Sequence, residues 1–73
     1  MQSRQLEPHP HNSPPMVPIG TYKQVGETGP AYQVGEPLRQ LPNGDWKIRI
    51  TLVTTGEVTE YRLSSMLRDP DAT

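Results

Sequence analysis

Asp45-Trp46-Lys47-Ile48-Arg49-Ile50-Thr51-Leu52-Val53 decides the fold. The stretch alternates with a period of two. Trp46, Ile48, Ile50 and Leu52 point one way, and Lys47, Arg49 and Thr51 the other. Such alternation marks a strand with one buried face and one wet face. Thr54-Thr55-Gly56-Glu57 follows, with Gly56 where a tight turn needs positive φ. Val58-Thr59-Glu60-Tyr61-Arg62-Leu63 is then the returning strand. A hairpin closed at Thr54–Glu57 pairs Leu52 with Thr59, Ile50 with Tyr61 and Ile48 with Leu63 on the inner face. On the outer face it sets Arg49 beside Arg62 and Thr51 beside Glu60.

Upstream, Leu41-Pro42-Asn43-Gly44-Asp45 is a turn. Ala31–Gln40 before it reads as a strand whose alternation breaks, because Tyr32 and Val34 share a parity with Glu36. A bulge or kink at Gly35 or Pro37 repairs the parity and makes this strand irregular or an edge. Gly20–Val25 is the earliest strand, followed by a turn over Gly26–Pro30. Downstream, Leu63–Asp69 reads as one helical turn capped by Ser64 or Ser65 and stopped by Pro70. The expected fold is all-β: a four-stranded antiparallel meander with a short C-terminal helical turn, curled toward an SH3-like half-open barrel, with a flatter sheet as the alternative.

Residues 1–18 are of another kind. Five of the nine prolines lie there, at 8, 10, 14, 15 and 18, with few apolar residues. Proline removes backbone donors and restricts its neighbours, so this arm is expected to be disordered, with Met16–Ile19 lying on the domain. All six glycines and all the aromatic residues follow Pro18. The folded unit is therefore placed at 19–69, with 70–73 frayed.

A chain of 73 residues holds one small domain. It contains no cysteine, which excludes a disulfide scaffold, a thiolate zinc site and a thiol nucleophile. No apolar run approaches a membrane span, and Met1–Leu6 does not open a signal peptide, so the expected compartment is the cytoplasm. His9 and His11 are the only histidines, Glu7 is the one carboxylate near them, and a structural or catalytic site needs three or four ligands, so no metal and no cofactor is assigned. Residues 19–69 hold neither His nor Cys, and their glycines follow no phosphate-loop spacing. An enzyme is not expected.

Two groups of residues are candidates for binding. Arg39, Lys47, Arg49 and Arg62 fall on neighbouring outer strands as a cationic face, while six basic and six acidic residues balance over 19–69. Trp46 is expected in the core as its largest member, whereas Tyr22 and Tyr32 can supply an aromatic interface. An exposed edge on the first or second strand is a further docking route.

Gly29-Pro30-Ala31-Tyr32, Gly44-Asp45, Thr55-Gly56-Glu57, Tyr61-x-Leu63-Ser64 and Leu67-x-Asp69-Pro70 together resemble a small proteobacterial family, a domain of unknown function. The resemblance covers residues 20–70 and implies a small bacterial protein, cytoplasmic or carried on a mobile element. It implies no activity, cofactor or site residue. The leading expectation is a protein-interaction or regulatory accessory module. The alternatives are a nucleic-acid-binding module using the basic outer face, and a structural homodimer subunit.

Overall fold

The computed structural model describes residues 14–72. Four strands, β1 (Tyr22–Gln24), β2 (Ala31–Gln40), β3 (Trp46–Leu52) and β4 (Val58–Arg62), precede a six-residue helix, α1 (Leu63–Arg68). The strands form one sheet in the order β1-β2-β3-β4, each antiparallel to the next. No pairing joins β1 to β4, so the sheet does not close into a barrel. The all-β meander with its terminal helix is thus the observed architecture.

The alternation in β3 has the expected result: Ile48 and Ile50 are buried, and Arg49 between them is exposed. Tyr32 and Val34 of β2 and Met66 of α1 complete the core, with α1 packed across β3 and β4. Trp46 is only half-buried at the margin of this cluster, and Tyr32 is its largest fully buried side chain. Trp46 starts its strand beside the turn, where less of the sheet remains to cover it.

The β3–β4 register differs from the expected one by two residues. Ile48 faces Tyr61, Arg49 faces Glu60 and Lys47 faces Arg62. The loop is four residues, Val53–Gly56, closed by Leu52 N–H donating to Glu57 C=O at 2.8 Å, with Gly56 at φ 75°. A slip of two keeps side-chain parity, so the inner face is unchanged while every cross-strand neighbour changes. Leu63 leaves the sheet to begin α1, and Tyr61 takes its place opposite Ile48.

The break in β2 is a pair of one-residue register shifts, between Val34 and Pro37 and between Pro37 and Arg39. The first turns Glu36 to the outer face, where it meets Arg49 Nε at 3.1 Å. Gly35 is required at this bulge. A Cβ there would lie 2.7 Å from the Arg49 carbonyl oxygen, which is backbone and cannot swing away. Gly35→Ala is expected to cost about 1–3 kcal/mol through this overpacking. An unchanged denaturation midpoint would show that the two backbones can part freely.

Both ends of the described chain are tied to the sheet. Val17 packs on the core, whereas Met16 and Ile19 stay exposed. Gly20 N–H donates to Val34 C=O at 2.8 Å and Val34 N–H to Thr21 C=O at 2.9 Å, extending the β1–β2 ladder. The expected disorder of the arm falls mainly on residues 1–13, outside the described residues. Pro70–Ala72, expected to fray, instead pair with β1. Gln24 N–H donates to Pro70 C=O and Ala72 N–H to Tyr22 C=O, both at 3.0 Å, and Lys23 Nζ meets Asp71 at 3.1 Å.

Candidate functional site

The core, α1 and Val17 occupy one face of the sheet, leaving the other face open among the described residues. The cross-strand register arranges the charges on that open face in rows. Arg39, Lys47 and Arg62 form one row across β2, β3 and β4, since Arg39 faces Lys47 and Lys47 faces Arg62. In the next row Arg49 stands between Glu36 and Glu60. Beyond it Tyr22, Gln33, Thr51 and Val58 follow one another across all four strands.

These four cations differ in circumstance. Arg39 grips Glu60 with both terminal nitrogens, at 2.7 and 3.1 Å. That hydrogen bonding holds the Glu60 carboxyl below the usual carboxylate range and raises Arg39. Arg49 is engaged by Glu36. Lys47 and Arg62 make no ion pair among the described residues. The expected contact between Arg49 and Arg62 is absent, and Lys47 is the cation beside Arg62. Like charges directly opposite one another cost stability in an antiparallel pair. Packing does not ask for them.

The tyrosines are not a shared interface. Tyr32 is fully buried and faces Lys23 in the register, whereas Tyr22 faces Gln33 and lies 49% exposed on the other side of the sheet. Only Tyr22 remains available to a partner. Tyr32 instead holds the fold together. Its hydroxyl donates to Asp69 Oδ2 at 2.6 Å, and the Tyr61 hydroxyl donates to the same oxygen at 2.8 Å. The two rings are 5.2 Å apart and tilted by 57°. Gly26 N–H donates to Asp69 Oδ1 at 3.1 Å. Burial opposes the Asp69 charge, but the bonds from Tyr32, Gly26 and Tyr61 and the nearby Lys23 ammonium outweigh it, so its carboxyl lies below the usual range. Burial first, and Asp69 second, raise both phenols, Tyr61 to about 12.

A second carboxylate joins distant parts of the chain. Asp45 accepts from Ser64 Oγ at 2.6 Å, Ser64 N–H at 3.2 Å and Trp46 N–H at 2.8 Å. Ser64 therefore does not cap α1. Arg62 is the N-cap, without a side-chain bond, and Asp45 from the turn between β2 and β3 takes up a first-turn N–H instead. The Ser64 hydroxyl bond chiefly lowers the Asp45 carboxyl below its usual range.

Among the described residues there is no ligand-sized cavity and no grouping of three or more His, Cys, Asp and Glu side chains placed to hold a metal. No helix is long and apolar enough to cross a membrane. His9 and His11 lie outside the described residues.

The chain is thus a small antiparallel β-sheet domain, packed on one face by a terminal helix and charged on the other. It belongs to the family of unknown function DUF5397, whose model matches residues 9–73. It is also similar to a protein of Haemophilus influenzae (strain ATCC 51907 / DSM 11121 / KW20 / Rd) described as an uncharacterized protein. The two are 48% identical over 56 residues, covering 77% of this chain and 89% of the relative.

Proposed function

We propose that this chain is a protein-interaction module, a cytoplasmic accessory or regulatory subunit, that receives a protein partner on its open sheet face. The observation that carries the reading is the mixed charge of that face. Arg39 and Arg49 are matched by Glu60 and Glu36, while Lys47 and Arg62 are left unmatched among the described residues. A mixed face suits the polar, locally complementary surface of another protein better than a uniform phosphate backbone.

The test is capture by the immobilised full chain from an extract of cells that express it. A protein retained after nuclease treatment, and lost when Lys47→Glu and Arg62→Glu are combined, is the expected result. Retention unaffected by the double reversal, or no retained protein at all, would sink the reading.

The row Arg39–Lys47–Arg62 also favours a second reading, nucleic-acid binding. Parent and double-reversal proteins can be titrated by fluorescence anisotropy against duplex DNA and single-stranded RNA at roughly 0.05 and 0.15 M salt, where phosphate-dominated binding falls steeply. Micromolar binding by the parent that persists at the higher salt and is absent from the variant would put this reading first.

A further inference from the structure

The sheet has two edges, and they are treated differently. Pro70–Ala72 cover the β1 edge, whereas β4 has no strand or tail on its outer side among the described residues. Natural sheets blunt an exposed edge with shortness, charge, proline or a bulge, and on β4 the charges are Glu60, held by Arg39, and Arg62, which makes no ion pair among the described residues. β4 contains no proline or lysine, and its register with β3 is unbroken from Val58 to Arg62. Four of its five residues are exposed.

The hydrogen-bond alternation tells which of its groups are free. Leu52 pairs with Glu57 through a backbone bond, so the alternation makes Thr59 and Tyr61 the β4 residues that bond to β3. Val58 and Glu60 then direct both backbone groups outward, as does the Arg62 N–H. The Arg62 carbonyl, at the N-cap, belongs to α1. The outward backbone therefore comes from the residues whose side chains stand on the open face.

We propose that an extended acidic segment of another protein adds to β4 as a fifth strand, with a carboxylate beside Arg62 and Lys47 and an apolar residue four positions away beside Val58. The inference rests on the reading of this chain as a protein-binding module and names the partner's chemistry. Glu60 feels the Lys47 charge and Asp45 that of Arg62, but Glu60 already accepts from Arg39 and Asp45 from Ser64. At the other end of β4, Val58 is 55% exposed. Main-chain bonds would supply affinity, and the two side-chain positions would supply selectivity.

A second copy of this chain fits the edge less well. Antiparallel pairing of all five β4 residues sets Glu60 opposite its own copy and each Arg62 opposite a Val58. Sliding the copies until Glu60 meets Arg62 pairs only residues 60–62, because Leu63 begins α1.

The probe is a fluorescein-labelled nine-residue peptide of alternating threonine and valine, with a single glutamate four residues from an outward valine, and its glutamine twin. The full chain is followed by amide exchange and by anisotropy. Expected are protection of the Val58, Glu60 and Arg62 amides and binding of the glutamine twin weaker by about threefold to fivefold. Arg62→Gln should make the two peptides equal. Val58→Pro should abolish binding of both, because it removes an outward N–H while sparing the β3 ladder. If Val58→Pro loses the parent's exchange pattern, Arg62→Gln decides alone.

Binding without added protection of the Val58, Glu60 and Arg62 amides would place the probe elsewhere on the protein, overturning strand addition and leaving the protein-binding reading intact. Equal binding of the two peptides by the parent overturns the acidic specificity. Absence of binding by both up to roughly 1 mM overturns the proposal. Self-association of the parent that Val58→Pro abolishes would make the occupant a second copy and overturn the acidic partner.

Discussion

Asp69→Ala is expected to remove about 2–3 kcal/mol of stability, because it orphans the buried Tyr32 hydroxyl and frees that of Tyr61. In so small a domain this is a large share of the whole. The pH dependence supplies a second readout. The folded-state pKa of Asp69 is depressed, so its contribution is present above the unfolded value of roughly 3.9 and is lost as pH falls through the folded value. Tyr61 runs the other way. Its pKa rises to about 12 on folding, so its contribution is present below its unfolded value and disappears as pH climbs through the folded one. Urea midpoints of parent and variant across the acid range should therefore converge as pH falls. A gap that stays constant from neutrality to pH values well below the carboxylate range would show that the carboxylate's charge is not what Tyr32 and Tyr61 need.

Ile50→Ala is the other large effect, about 2–4 kcal/mol from lost transfer energy and a residual cavity. Ile50 is 2% exposed and sits mid-strand between Val34 of β2 and Thr59 of β4, where neighbours on both sides limit collapse. Chemical denaturation measures it. A midpoint equal to the parent's would mean that the site closes over the missing atoms, or that the strand rests on its other face.

The parts of this fold that are legible in the sequence are those written in short-range pattern. Trp46–Leu52 alternates without a fault, and Glu36 on the wrong parity is enough to mark the Gly35 bulge. Pairing phase is a different quantity. The turn signal at Thr54–Glu57 suits a tight turn or a four-residue loop equally, and a slip of two leaves the same faces buried, so periodicity is blind to it. Only cross-strand chemistry separates the alternatives. The observed register places Glu60 opposite Arg49 and within reach of Arg39, while the alternative places Arg49 against Arg62.

Asp69 and Asp45 are hidden for a related reason. Two of their side-chain partners, Tyr32 and Ser64, lie 37 and 19 residues away, and little that is local distinguishes such carboxylates from solvated turn residues. Asp69 immediately before Pro70, four residues after Ser65 and eight after Tyr61, is the one local hint of the first. The free edge is hard to place for the same cause. Without the tail's position, β1 is the natural exposed strand and β4 an ordinary hairpin arm.

The order in which the chain is made gives the C-terminal segment a further consequence. Synthesis delivers β1 well before Asp69–Ala72, although these segments pair with each other. Until residues 69–72 have left the ribosome, the β1 backbone is an uncovered template and the two phenols lack their acceptor. Until then the nascent sheet is open along both flanks, and the arrival of residues 69–72 shuts one of them. A chain lacking residues 69–73 should stay in that half-finished condition, with concentration-dependent light scattering that the full chain does not show. A truncated protein that remains monomeric at the same concentration would mean that β1 guards its own edge.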